Sequence, residues 1–238
     1  MVLLEFDAAL RSMTAAEFTA RILVRGLATK ALLLGYDSAI GKNREGTPER
    51  LAELGAGSGF EVHQGTRFEV DGQPVSSTAI RAAITSGDLD AAHRMLGRWP
   101  AAFGEVRHGD GRGRGLGFAT ANLEPQSLVL PPAGVYAVQA IHDGRVLHGV
   151  ANLGARPTFA ADAAAPKDRA PEVPRLEVHL FDFDADLYGA TLEVAFVARL
   201  RDERRFESVE ALTAQITQDA LAARRILGDT LDAPRTRL

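Results

Sequence analysis

RLEVHLFDFDADLYGATLEVAF, residues 175–196, decides how this chain folds. Leu176, Val178 and Leu180 alternate with Glu177, His179 and Phe181, and Leu192, Val194 and Phe196 repeat the pattern. A period of two marks a strand with one face buried. No helical segment separates the two strands, as is usual in an antiparallel sheet. Working outward, strand signals run from Phe103 to Leu200. Gly134 to Ala140 and Arg145 to Ala151 flank Asp143-Gly144, a strong hairpin turn signal. Closely spaced strands of this kind predict an antiparallel barrel or sandwich. A helix follows: Ser208 can cap it, and Val209, Leu212, Ile216, Ala220 and Ala223 form one apolar stripe. The stripe narrows to alanines, which predicts that its first two turns pack most strongly. The Ala- and Pro-rich segment from Ala160 to Pro174 reads as a mobile loop.

Upstream of Trp99-Pro100 the texture differs, and a domain boundary is expected there. Thr14-Ala15-Ala16-Glu17 is a capping box, followed by Phe18, Ile22 and Leu23 at helical spacing. Ala31 to Leu34, ending at Gly35, has the pattern of a buried strand. Thr47-Pro48 opens a helix that Gly55 and Gly57 are expected to close. Phe60 to Val62 and Arg67 to Val70 read as strands. Ser76, Ser77 or Thr78 can cap a helix through Ile84, and a second short helix runs from about Asp88 to Leu96. Residues 1–98 therefore form an α/β region.

Bulk composition narrows the functions. Hydrophobic content of 46% and charged content of 24% over 238 residues allow a real core. A net charge of −4 argues against a nucleic-acid partner. There is no cysteine, which excludes disulfides, thiolate nucleophiles and Cys-based zinc sites. The six histidines show no paired metal spacing. The start lacks the layout of a signal peptide, and the most apolar segment is broken by Arg25 and Lys30, so no membrane span is expected and the cytoplasm is the default location.

The stretch GRGRGLGFATANLEP, residues 111–125, raises a different question. It matches neither a dinucleotide fingerprint nor a P-loop. Glycine lets backbone amides approach a phosphate, and Arg112 and Arg114 add charge. Thr120 offers a hydroxyl and Asn122 an amide oxygen, both suited to magnesium. The plain alternative is a flexible turn before an ordinary strand.

The order of motifs bears on that choice. G-x-V-x-x-G at Gly104 to Gly109 precedes G-R-x-L-G-F-x-T-A-N-L at Gly113 to Leu123. Then come GVYAV, N-x-G-x-R-P-T-F from Asn152, E-V-H-L-x-D-F from Glu177, L-Y-G, and the LR-x-E-x-x-F-x-S segment leading to Q-I-x-x-D. From about Phe103 to Leu227 this order resembles the riboflavin kinase domain. The segments Gly35 to Gly46 and Ser76 to Arg81 resemble the C-terminal half of an FMN adenylyltransferase domain. The chain as a whole is similar to bacterial bifunctional riboflavin kinase/FAD synthetase. The implied architecture is α+β and multi-domain. A partial α/β, Rossmann-like nucleotidyltransferase region (1–98) precedes an antiparallel riboflavin kinase β-barrel with a C-terminal helix (99–238). There are departures. No H-x-G-H occurs, roughly the first half of the adenylyltransferase domain is expected to be missing, Asp37-Ser38-Ala39-Ile40-Gly41 lacks the usual aromatics, and Ala119 stands where a proline is usual.

The resemblance implies transfer of the ATP γ-phosphate to the 5′-hydroxyl of riboflavin, giving FMN and ADP. Such a transfer needs in-line placement, charge neutralisation and a proton acceptor. Thr120 and Asn122 would hold Mg2+ and the ATP phosphates, under a flap that includes Gly109, Gly113, Arg114 and Gly117. Glu177 would be the general base; the alternative is a solvated outward strand residue. Arg201 and Phe206 would border the flavin, with a surface charge and a helix-packing anchor as their alternatives. Asn152, Pro157 and Thr158 would shape the site, and Tyr136 is read as a core tyrosine. Gly35, Asp37, Ser76, Ser77, Thr78 and Arg81 would be the remnant of a nucleotidyltransferase ATP site; without the H-x-G-H, FMN adenylyltransferase activity is doubtful. The expected partners are ATP and riboflavin or FMN. An incomplete parallel sheet also exposes apolar faces and an edge, which favours self-association through the N-terminal region. Two rivals stay open: a bifunctional riboflavin kinase/FAD synthetase represented here by part of its chain, and an inactive flavin- or nucleotide-binding module.

Overall fold

A computed structural model of the chain describes residues 2–108, 117–127, 129–155 and 174–229. It divides into two compact units between Val75 and Ser76.

The first unit is small. Helix α1 (Ala8–Ser12) is followed by α2 (Ala15–Phe18), which runs directly into a π-helical segment, Thr19–Gly26. The capping box is present: Thr14 accepts from the Glu17 amide at 3.1 Å, and Glu17 accepts from the Thr14 amide at 2.9 Å. Strands β1 (Ala31–Leu34) and β2 (Glu61–Gln64) pair in parallel around α3 (Pro48–Ser58). A hairpin of β3 (Glu69–Val70) and β4 (Gln73–Pro74) ends the unit. Two expectations are corrected here. β1 is not a buried strand: Leu34 is buried, but Leu33 is 75% exposed, because β2 is the single partner of β1 among the described residues. Gly55 and Gly57 do not end α3, which continues to Ser58 and closes on Gly59 in the left-handed region. Gly55 is there for packing: a Cβ on it would stand 2.6 Å from the Phe60 carbonyl oxygen.

The second unit opens with α4 (Ser77–Ser86), capped by Ser76, and α5 (Leu89–Leu96), capped by Asp88. Six strands follow: β5 (Ala101–Arg107), β6 (Ala121–Leu123), β7 (Gly134–His142), β8 (Arg145–Ala155), β9 (Pro174–Leu180) and β10 (Thr191–Arg201). They close into a barrel in the order β10-β5-β6-β9-β8-β7, every pair antiparallel. The β7–β8 turn is the expected one, with Asp143 at φ 47° and Gly144 at φ 73°. Closure leaves the barrel without a free edge among the described residues. Inward residues such as Leu123, Tyr136, Leu176, Val178, Val194 and Phe196 fill the interior. Tyr136 is fully buried, as expected of a core residue; burial raises its pKa, and its hydroxyl donates to the Pro132 carbonyl.

Helix α6 (Val209–Asp229) packs on the outside of β7, β8 and β10. The expected packing gradient is reversed. Val209 is 55% exposed, whereas Ala223 and Leu227 are fully buried against Val135, Ala137, Val150 and Val197. The alanines strengthen this contact, because small side chains let the helix approach the barrel wall.

Candidate active site

The alternation that buries Leu176 and Val178 turns Glu177 to the outer wall of the barrel. Register then places other polar side chains beside it. Asn122 of β6 lies opposite Glu177, and Glu177 lies opposite Asn152 of β8. Asn152 in turn faces Val135 of β7, which faces Arg201 of β10. Directly opposed residues share a face, so Asn122, Glu177, Asn152, Val135 and Arg201 form one row around the wall. Val135 belongs to the cluster beneath α6, which confirms that this is the outer surface. A register shift between Arg199 and Arg201 interrupts β10 at this point, and such bulges re-aim side chains.

Each polar group in the row has a partner. Arg175, two residues before Glu177 on β9, donates from Nε to Asn122 Oδ1 at 3.0 Å, and Nη2 donates to the same oxygen. Its Nε also stands 3.3 Å from Glu177 Oε1, with the Glu177 side chain 40% exposed. Asn152 donates from Nδ2 to Glu203 Oε1 at 2.9 Å. Gly154 makes that approach feasible: a Cβ there would lie 2.2 Å from the same carboxylate oxygen. Arg201 grips the buried Asp219 of α6, with Nε at 3.1 and 3.0 Å from its two oxygens and Nη2 at 2.8 Å. Nη1 of Arg201 donates to the Asp202 carbonyl. The donors of Arg201 are thus engaged inside the protein, which leaves the guanidinium's flat face for contact with a planar ring. Phe206 lies 5.6 Å from that guanidinium and 4.7 Å from Arg204.

Thr120 immediately precedes β6. The segment leading to it is pinned by a 2.9 Å hydrogen bond between His179 Nδ1 and the Ala119 carbonyl. A carbonyl only accepts, so Nδ1 carries the proton. Phe118 meets the His179 ring edge-on at 5.3 Å. Gly117 adopts φ +82°.

The structure thus gathers Asn122, Glu177, Asn152 and Arg201 on one wall, with Phe206 against Arg201 and Thr120 at the start of β6. Gly109, Gly113, Arg114, Pro157 and Thr158 lie outside the described residues, as does most of the Ala- and Pro-rich segment. Gly35 and Asp37 belong to the first unit. Ser76 caps α4 in the second by accepting from the Ala79 amide at 3.1 Å, and Ser77, Thr78 and Arg81 are exposed on the first turns of that helix. Sequence reasoning passed over Arg175, Glu203 and Asp219. The signals were present: Arg175 shares the face of Glu177, Glu203 is the acid of LR-x-E, and Asp219 ends Q-I-x-x-D. Among the described residues, no cluster of three or more His, Asp or Glu side chains could hold a metal. A cation here would depend on neutral oxygens and on a substrate's phosphates.

Comparison with known proteins identifies the family. Residues 96–227 match the riboflavin kinase family model, and residues 1–79 match the FAD synthetase model. The bifunctional riboflavin kinase/FMN adenylyltransferase of Pseudomonas fluorescens is 44% identical, over 94% of this chain and 69% of its own length. The proteins of the same name from Escherichia coli K12 and Bacillus subtilis are 39% and 34% identical, over 96% and 94% of this chain and 70% and 69% of their own lengths. A crystal structure from Streptococcus pneumoniae, named as a macrolide-efflux protein, matches with a TM-score of 0.77 at 33% identity, over 93% of this chain and 68% of that one. Among the described residues, no helix is long and apolar enough to cross a membrane. The chain therefore belongs to the bifunctional riboflavin kinase/FMN adenylyltransferase family, with the riboflavin kinase barrel as its second unit.

Proposed function

We propose that the outer barrel wall transfers the γ-phosphoryl group of ATP to the 5′-hydroxyl of riboflavin, with Glu177 as the proton acceptor. Riboflavin kinase activity follows from family membership; the residue roles are inferred from the row. The single observation that carries them is the register Asn122–Glu177–Asn152, which sets an amide oxygen and a carboxylate on adjacent rigid strands. A carboxylate fixed there can take a hydroxyl proton as the phosphorus–oxygen bond forms.

The oxygens fit a divalent cation. Asn122 Oδ1 already gathers two N–H groups of a cationic guanidinium, which marks it as a point where positive charge is stabilised. Thr120 and Asn122 would hold Mg2+. The bound ion would neutralise charge on the ATP phosphates. Gly109, Gly113, Arg114 and Gly117 would supply backbone and side-chain donors to those phosphates. Asn152, Thr158, Arg201 and Phe206 would bound the isoalloxazine ring, since arginine and aromatic planes stack on flat π systems.

We take the kinase domain proper as 99–238 and the adenylyltransferase-like region as 1–98, with Gly35, Asp37, Ser76, Ser77, Thr78 and Arg81 its ATP-site remnant. The protein acts in the cytoplasm on small molecules and self-associates through its N-terminal region, where Leu33 of β1 is exposed. Product analysis tests these roles. Purified protein with riboflavin, ATP and magnesium should give FMN and ADP. Retention of riboflavin without FMN would make it a binding module. FAD formation would favour the bifunctional reading, which the match of residues 1–79 to the FAD synthetase family supports.

A further inference from the structure

The geometry points to Arg175 as a built-in competitor of the divalent cation, a positioning residue that ties cation binding to release of the base. This rests on the roles proposed above for Asn122 and Glu177. An amide oxygen has two lone pairs, and Arg175 faces Asn122 Oδ1 with both Nε, at 3.0 Å, and Nη2. Any cation that uses this oxygen must displace at least one of those N–H groups, and like charges repel at that separation. The same Nε stands 3.3 Å from Glu177 Oε1, so one guanidinium holds both the cation's oxygen and the base's oxygen. Moving it off Asn122 therefore frees the Glu177 carboxylate to face a substrate hydroxyl. The arrangement is rigid on one side and adjustable on the other. Asn122 and Glu177 sit in paired strands, whereas Arg175 reaches them on a long side chain that is 25% exposed and near the start of β9.

Binding of Mn2+ together with ADP, followed by electron paramagnetic resonance, tests this without turnover. Arg175→Gln, which removes the charge, should tighten Mn2+ binding by about two- to fivefold, the range for a partly exposed charge contact. Arg175→Lys, which keeps the charge but loses the fork, should stay closer to the parent. The magnesium concentration giving half-maximal FMN formation should fall in parallel for Arg175→Gln, with a smaller change in kcat. Asn122→Ala serves as the reference and should weaken Mn2+ binding. Unchanged or weaker binding in Arg175→Gln, with Asn122→Ala still impaired, overturns the competitor role and leaves the site intact. Unchanged binding in Asn122→Ala overturns the site itself, and the competitor role with it.

Discussion

The two units of this protein treat their apolar strands in opposite ways. In the barrel each strand has two partners, and Leu176, Leu192 and Val194 are fully buried. In the first unit β1 and β2 have only each other among the described residues, and Leu3, Phe6 and Leu33 are 90%, 76% and 75% exposed. A closed sheet can commit its inner face to packing and its outer wall to a polar row, because register fixes both at once. A two-stranded parallel sheet cannot cover its own faces. The family's kinase chemistry sits on the closed unit, and the first unit leaves apolar side chains exposed.

The sharpest way to break this contrast is core truncation. Leu176→Ala should cost about 2–5 kcal/mol, read as a shift in the denaturation midpoint of the barrel. A cost below 1 kcal/mol would mean that the interior is not close-packed. Next is the buried ion pair that anchors α6. Asp219→Ala leaves Arg201 without its carboxylate and should cost about 3 kcal/mol. It should also weaken riboflavin binding, measured by quenching of flavin fluorescence. Thr14→Ala removes the cap of α2 and should cost about 1 kcal/mol, read as a shift in the denaturation midpoint of the first unit. The smallest effect on stability belongs to Leu33→Thr, within about 0.5 kcal/mol because the side chain is already exposed. Sedimentation should nonetheless show less self-association in this variant. Amide exchange sharpens the comparison further: β7, β8 and β10 should protect far longer than β1 and β2.

The barrel was legible because its two-residue alternation is strong and its hairpin turn is chemically specific at Asp143-Gly144. Caps at Thr14 and Ser76 were legible because side-chain capping is local. What failed was long-range. The alanines of α6 looked like the weak end of a stripe, but closeness to Val135 and Val197 makes them the buried end. Gly55 looked like a stop signal, yet it answers to Phe60. The strand Ala31–Leu34 looked buried because apolar content says nothing about how many neighbours a strand has. In the site, Glu177, Asn122 and Asn152 could be named from motif order. Glu203 and Asp219 stand in those motifs and Arg175 on the face of Glu177, but their roles come from partners as far as 53 residues away in sequence, as Asn122 is from Arg175.

The most direct measurement is FMN formation by Glu177→Gln against the parent protein, with riboflavin affinity recorded in parallel. A neutral amide of the same shape cannot accept the hydroxyl proton, so kcat should fall by about 10²–10⁴ while the affinity for riboflavin stays near the parent's. Turnover at the parental rate would contradict the role of Glu177 and remove the chemical purpose of the polar row.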